Sequence, residues 1–263
     1  MMKNFSAALW AETLKVRRSK VMLFTSIGFF ILPLVGGLFM IILKDPEAAK
    51  SMGLISTKAQ IVGGSADWPS FFSMITQGTA IAGAFIFAIV TIWSFGREFS
   101  DRTVKELLAL PTSREAMVTA KFTVVAAWTL VLTLAMFVVS LIVGALVNIP
   151  DFSSELIGNS FIDVLGSTLL NILLLPYAAL LASTGRGYMP PFGFTLLTVA
   201  LAQIAIVTGW GDWFPWAVPG LFSGAAGPRA ELLGLHGYVI VVIASIIGLG
   251  ATFYWWRTAD QTK

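Results

Sequence analysis

FFSMITQGTAIAGAFIFAIVTIWSF, residues Phe71–Phe95, runs for 25 positions without a charged side chain. An α-helix needs roughly 20 predominantly apolar residues to cross about 30 Å of hydrocarbon, so this stretch reads as a membrane span. Five further charge-free runs share its character: Val21–Leu43, Phe122–Ile149, Val164–Ser183, Pro191–Thr208 and Tyr238–Trp256. The whole chain supports this reading. Of its 263 residues 57% are apolar and 12% charged, and the mean hydropathy is +0.84. A soluble domain carries about 25% charged residues to cover its surface. The expected fold is therefore an all-α membrane protein, six transmembrane helices in one domain spanning 1–263.

The first run follows Arg17, Arg18 and Lys20, exceeds the usual apolar core of a signal peptide, and meets no small-residue cleavage site before Lys44. It is expected to be a retained helix. Lys and Arg divide unevenly between alternate connecting segments, 13 on one side and 4 on the other. The positive-inside rule puts the 13 in the cytoplasm. Both termini are then cytoplasmic, in a multi-pass membrane protein. The net +3 of the chain resolves into a basic face and an acidic one. Trp93, Trp255 and Trp256 are expected to anchor the cytoplasmic interface, and Trp68, Trp210, Trp213 and Trp216 the external one.

No ionisable residue falls inside the six runs. Asp163 sits at the border of the fourth, where it suits a helix N-terminus. A proton-coupled carrier needs a titrating group within the membrane, and an intramembrane hydrolase needs a nucleophile–base pair, a carboxylate pair or a metal cluster. Cysteine is absent and His236 is the single histidine, which excludes thiolate and multi-histidine metal sites. Gln77, Asn148, Asn171 and Gln203 are the mild polar residues within the runs. Inter-helix hydrogen bonding explains them; contact with a transported substrate, at Gln77, Asn171 and Gln203, is the functional alternative. There is no Walker-type loop, and Gly63–Gly64 is not one. Any ATP-driven work requires a partner.

Residues 96–121, GREFSDRTVKELLALPTSREAMVTAK, hold nine charges. Thr103 and Glu106 have capping-box spacing, and Pro111 stops the short helix they would begin. Val104, Leu107 and Leu108 form one apolar stripe. Thr112–Glu115 repeats the capping pattern and leads into the third span. The spacing leaves two readings open: a linker whose helix lies on the lipid surface, or a docking helix whose leucines enter a cleft on a soluble subunit.

The stretch Phe95–Arg114, continuing to Ala120–Lys121, resembles the coupling segment of ABC-2-type transporter permeases, most of all the bacitracin-resistance and peptide-antibiotic exporter branch. Ala11–Arg18, just before the first span, is also typical of that family. The resemblance implies a coupling helix over Glu98–Pro111 that contacts a separate ATPase subunit, with Glu98, Arg102, Thr103, Val104, Glu106, Leu107, Leu108, Pro111 and Arg114 as contact residues. Ser113, Arg114 and Lys121 would return the chain to the third span. It implies an interfacial elbow helix from about Asn4 to Lys20 and a re-entrant hairpin within the apolar segment 209–237. ATP and Mg would sit on the partner ATPase and no cofactor on this chain. The other partners implied are a second permease copy or related permease and the lipid bilayer; no nucleic acid is expected. The cargo would be hydrophobic or amphipathic, moved outward. An ion-gradient-driven carrier and a non-transporting sensor or scaffold are the alternatives.

On the elbow, Phe5, Leu9 and Val16 fall on one face and Glu12 projects close to them. The basic run Lys15, Arg17, Arg18, Lys20 suits anionic headgroups, at about 1 kcal/mol per charge, or serves as a topology signal alone.

Overall fold

A computed structural model describes residues 2–51, 53, 64–109, 111–225, 227 and 233–258. Gly63, and Lys58, Arg229, Glu231, Asp260 and Lys263, which contribute to the charge distribution of the connecting segments, lie outside the described residues. The elements are α1 (Met2–Arg18), α2 (Val21–Lys44), α3 (Pro46–Ser51), α4 (Trp68–Ser100), α5 (Val104–Leu108), α6 (Arg114–Leu146), α7 (Ser154–Thr184), α8 (Met189–Thr208), α9 (Val218–Phe222) and α10 (Leu235–Thr258). Six of them, α2, α4, α6, α7, α8 and α10, are long and apolar enough to cross a membrane.

Several of these helices outrun the apolar stretches that announced them. The helix α4 continues through Arg97 and Glu98, α6 begins at Arg114, and α7 begins at Ser154. Asp163 therefore sits well inside α7, and Glu155 occupies the first turn instead. A charge-free run marks where hydrocarbon must be matched, whereas a helix stops only where its backbone groups find other partners.

Those stops share one geometry. Arg102, Asn148 and Arg186 have positive φ (59°, 53° and 51°) just beyond α4, α6 and α7. The following N–H reaches back five residues in each case: Thr103 to Glu98 O, Ile149 to Gly144 O and Gly187 to Ala182 O. This is the Schellman closure, usually built on glycine. Arginine or asparagine holds the left-handed position here, so the ends of α4 and α6 carry no glycine signal, and at α7 the glycines (Gly185, Gly187) flank that position instead of filling it. The closure after α4 also disposes of the expected capping box. The Thr103 N–H is already committed to Glu98, so Glu106 cannot take it, and Thr103 makes no side-chain cap. The second cap does form, one residue later than the Thr112 pattern: Ser113 accepts from the Ala116 N–H.

The helices α4 and α7 form the central pair, flanked by α2, α6, α8 and α10. Asn171 on α7 donates to the carbonyls of Thr79 (3.3 Å) and Ala80 (3.2 Å) on α4, and the hydroxyls of Thr133 and Thr168 join α6 to α7. Near the start of α4, Trp68, Phe71, Phe72 and Phe137 pack edge-on and stacked, with ring centroids 5.2–6.0 Å apart. Trp68 and Trp256 are buried in the protein. They are core residues, not interface anchors. Gly144 makes room for the Trp68 ring, and Ser183 Oγ accepts from the Trp256 indole N–H. Trp210 and Trp213 remain exposed.

Within 209–237, two 3₁₀ turns (Gly211–Trp213, Pro215–Ala217) lead into α9. Ala217, Val218 and Leu221 are buried against the neighbouring helices. This part of the irregular backbone is thus packed against protein. His236 Nε2 lies 2.7 Å from Asp212 Oδ2 and its ring packs on Trp213. That contact fastens the segment to the start of α10.

Candidate functional site

The end of the bundle that carries residues 97–114 brings together α1, the last turns of α4, α5 and the first turns of α6. Helix α1 buries Ala8, Glu12 and Val16, one every four residues, against the bundle. A carboxylate thus occupies the middle of its packed stripe, with Phe5 and Leu9 to the side. Glu12 does not stand alone. The Lys121 ammonium, fully buried, lies 3.2 Å from Glu12 Oε2 and 2.8 Å from Glu98 Oε1, and donates to Ser94 O at 2.7 Å. Its three N–H donors are all used. Lys15 completes the set, 2.7 Å from Glu12 Oε1 and 2.8 Å from Glu98 Oε1. The Phe95 ring stands 5.8 Å from the Lys121 charge.

Two lysines and two glutamates cancel in net charge, and that is what makes their burial tolerable. A single buried ion would cost several kcal/mol of lost hydration. Burial pulls the Lys15 ammonium down, but the Glu98 and Glu12 carboxylates outweigh it and hold the group above its ordinary range. Glu98 Oε2 and Ser94 Oγ, one helical turn apart, have no protein partner among the described residues. The cluster clasps α1, α4 and α6 at one point.

This clasp was only half legible in the sequence. Glu12 stood out as a carboxylate near an apolar face. Glu98 and Lys121 read as loop residues, because the apolar runs stop at Phe95 and begin at Phe122. Their spacing of 23 residues says nothing of contact until α4 and α6 fold side by side.

The expected contact residues separate into two groups. Glu98 belongs to α4 and is buried in the clasp, not displayed on the short helix. Arg114 Nη1 donates to the carbonyls of Trp256 (3.0 Å) and Arg257 (3.3 Å), capping the end of α10. Leu107 and Leu108 pack inward on the cluster formed by Phe95, Val118, Ala179, Ala182 and Trp256. Thr103 and Val104 are half-buried, whereas Arg102, Lys105, Glu106, Ala109 and Pro111 are exposed. The exposed surface of the loop thus includes Asp101, Arg102, Lys105 and Glu106, and Leu107 and Leu108, half-buried like Val104, pack it on its own bundle.

The three polar residues considered for a substrate path do not converge. Asn171 is spent on α4 backbone, Gln77 donates to Ser73 on its own helix, and Gln203 is exposed on α8.

Residues 8–202 match the family described as ABC-2 family transporter protein. The bacitracin transport permease protein BCRB of Bacillus licheniformis is 27% identical over 184 residues, covering 68% of this chain and 86% of that protein. No solved structure matches the chain. The family match runs from within α1 into α8 and includes the clasp and the charged loop. With six apolar helices and that match over most of its length, the chain belongs to the ABC-2 transporter family, as a multi-pass membrane permease resembling the bacitracin-resistance branch.

Proposed function

We propose that this chain is the permease subunit of an ATP-driven exporter, docking a separate ATPase through the exposed face of residues 101–113. The observation that carries the reading is the loop itself: among its described residues seven are exposed, four of them charged (Asp101, Arg102, Lys105 and Glu106), on and around a short helix whose leucines pack on a cluster shared by α4, α6, α7 and α10. A soluble subunit that pulls on α5 would pull on a cluster built from four spanning helices. ATP and Mg are held by that subunit. Two permeases, identical or related, enclose the path. Both termini and the charged loop face the cytoplasm, following the basic excess on that side. The 209–225 segment is the external re-entrant element. The cargo is hydrophobic or amphipathic, a peptide antibiotic by analogy with the bacitracin permease, because the apolar spans offer no buried charge along most of their length.

The test is co-purification with the ATPase and stimulation of its activity. Because Leu107 and Leu108 support the loop, the informative change is Arg102→Glu with Lys105→Glu and Glu106→Lys, which reverses the exposed charges only. Binding is expected to fall about tenfold or more, as for charged groups at an interface, with unchanged thermal unfolding of the permease alone. Undiminished binding and undiminished ATPase stimulation would remove this face from the docking surface.

A further inference from the structure

Beside the clasp, between α1 and the end of α4, runs an open groove of about 530 Å³. Trp10, Leu14 and Trp93 form its apolar walls, and Lys15, Arg18 and Arg97 supply three cations. The Arg97 guanidinium stands 5.2 Å over the Trp93 ring and its Nε engages Asp101 at 3.1 Å. Lys15 keeps its side chain 29% exposed even while it binds both glutamates. Arg18 is exposed and Trp10 is 69% exposed. An indole with an apolar body and a polar edge rests well at the boundary between headgroups and acyl chains. The groove on the other flank of α1, lined by Leu9, Val16, Met22 and Trp128 among others, has Arg17 as its one cation. The first groove thus has three cations and two tryptophans, against one of each on the other flank.

We propose that this groove binds an anionic phospholipid, its phosphate held by Arg18, Arg97 and Lys15 and its glycerol and upper acyl chain laid against Trp10, Leu14 and Trp93. The chemistry favours a lipid over a free anion because the cations line apolar walls on a helix that adjoins a membrane span. It favours an anionic lipid over a zwitterionic one because three cations and no carboxylate line the groove itself, Glu12, Glu98 and Asp101 engaging Lys15 and Arg97 from outside that lining. Neither the ATPase nor the orientation of the chain enters the inference. Lys15 belongs to groove and clasp alike, so a bound phosphate adds a third anion to that ammonium.

The test is native mass spectrometry of the purified full chain in detergent, titrated with dioleoyl-phosphatidylglycerol, with dioleoyl-phosphatidylcholine, and with phosphatidylglycerol in the presence of inorganic phosphate. Phosphatidylglycerol is expected to bind in preference to phosphatidylcholine and to persist against phosphate. Arg18→Gln should weaken it about fivefold, the effect of one charge near a membrane surface, and adding Trp10→Ala should weaken it further. Lys20→Gln, an exposed cation outside the groove, should change binding less than twofold. Equal loss with Lys20→Gln, equal binding of the two lipids, or displacement by phosphate would each overturn the proposal. The chain has no cysteine, so Trp10→Cys provides a further check. Cross-linking of Trp10→Cys to a second copy would make the groove a protein interface and overturn the lipid assignment.

Discussion

The two ends of α4 are held by opposite means. At Trp68, an aromatic stack with Phe71, Phe72 and Phe152 joins α4 to α6 and to the segment before α7, and Gly144 lets α6 come close. At Glu98, two carboxylates and two ammonium groups join α4 to α1 and α6. Aromatic packing is gained in small increments over many atoms and yields gradually when one atom is misplaced. A buried ionic cluster depends on complete pairing and fails abruptly when one partner leaves. The abrupt kind of fastening lies beside the loop proposed to meet the ATPase.

Removing one member of the clasp should have the largest effect. Lys121→Met leaves Glu12 and Glu98 sharing only Lys15, with a cost expected at about 3–5 kcal/mol. Thermal unfolding of the detergent-solubilised chain reads it. Combining Lys121→Met with Glu98→Leu restores neutrality and leaves the Glu12–Lys15 pair, so at least about half of the loss should return. If the double variant is no better than the single one, pairing is not what the cluster contributes.

The aromatic end should respond more mildly and to shape instead of charge. A Cβ on Gly144 would collide with the Trp68 ring. Gly144→Ala is expected to cost about 1–3 kcal/mol through overpacking. In a Trp68→Phe background, where the smaller ring vacates that space, the same substitution should cost clearly less. A constant cost in both backgrounds would place the strain elsewhere.

The smallest change concerns the cap at the aromatic end. Asp67 accepts from the Ser70 N–H at 2.8 Å. The Ser65 hydroxyl holds its carboxyl below the ordinary range, helped by the Ser70 N–H and hydroxyl, against the opposing effect of burial. Asp67→Ala should cost about 0.5–2 kcal/mol at neutral pH. A lowered pKa contributes stability above the unfolded value of about 3.9 and loses it as pH falls through the folded value. The gap between wild type and variant should therefore narrow below about pH 4 in unfolding scans. A gap that stays constant into acid would show that the carboxylate charge is not what caps α4.

The spans were legible because crossing hydrocarbon imposes a length and a composition that neighbours cannot replace. All six apolar runs became helices. Their ends were less legible, since Arg102, Asn148 and Arg186 close helices where glycine is the usual signal. The short loop helix was found from its apolar stripe, yet Leu107 and Leu108 turn toward their own chain, because an i, i+3, i+4 pattern specifies that a face is buried and not by what. Trp68 and Trp256 carried the composition of interface anchors and became core, because the space left by Gly144 and the hydroxyl of Ser183 suited them there.

By itself the sequence determined that the chain crosses a membrane, about where it does so, and which loop is charged, because each of these depends on local composition. Only the tertiary structure decided that Glu12, Lys15, Glu98 and Lys121 meet. Their attraction is strong only once α1, α4 and α6 exclude water around them, and that exclusion belongs to the packed bundle and to none of the segments alone.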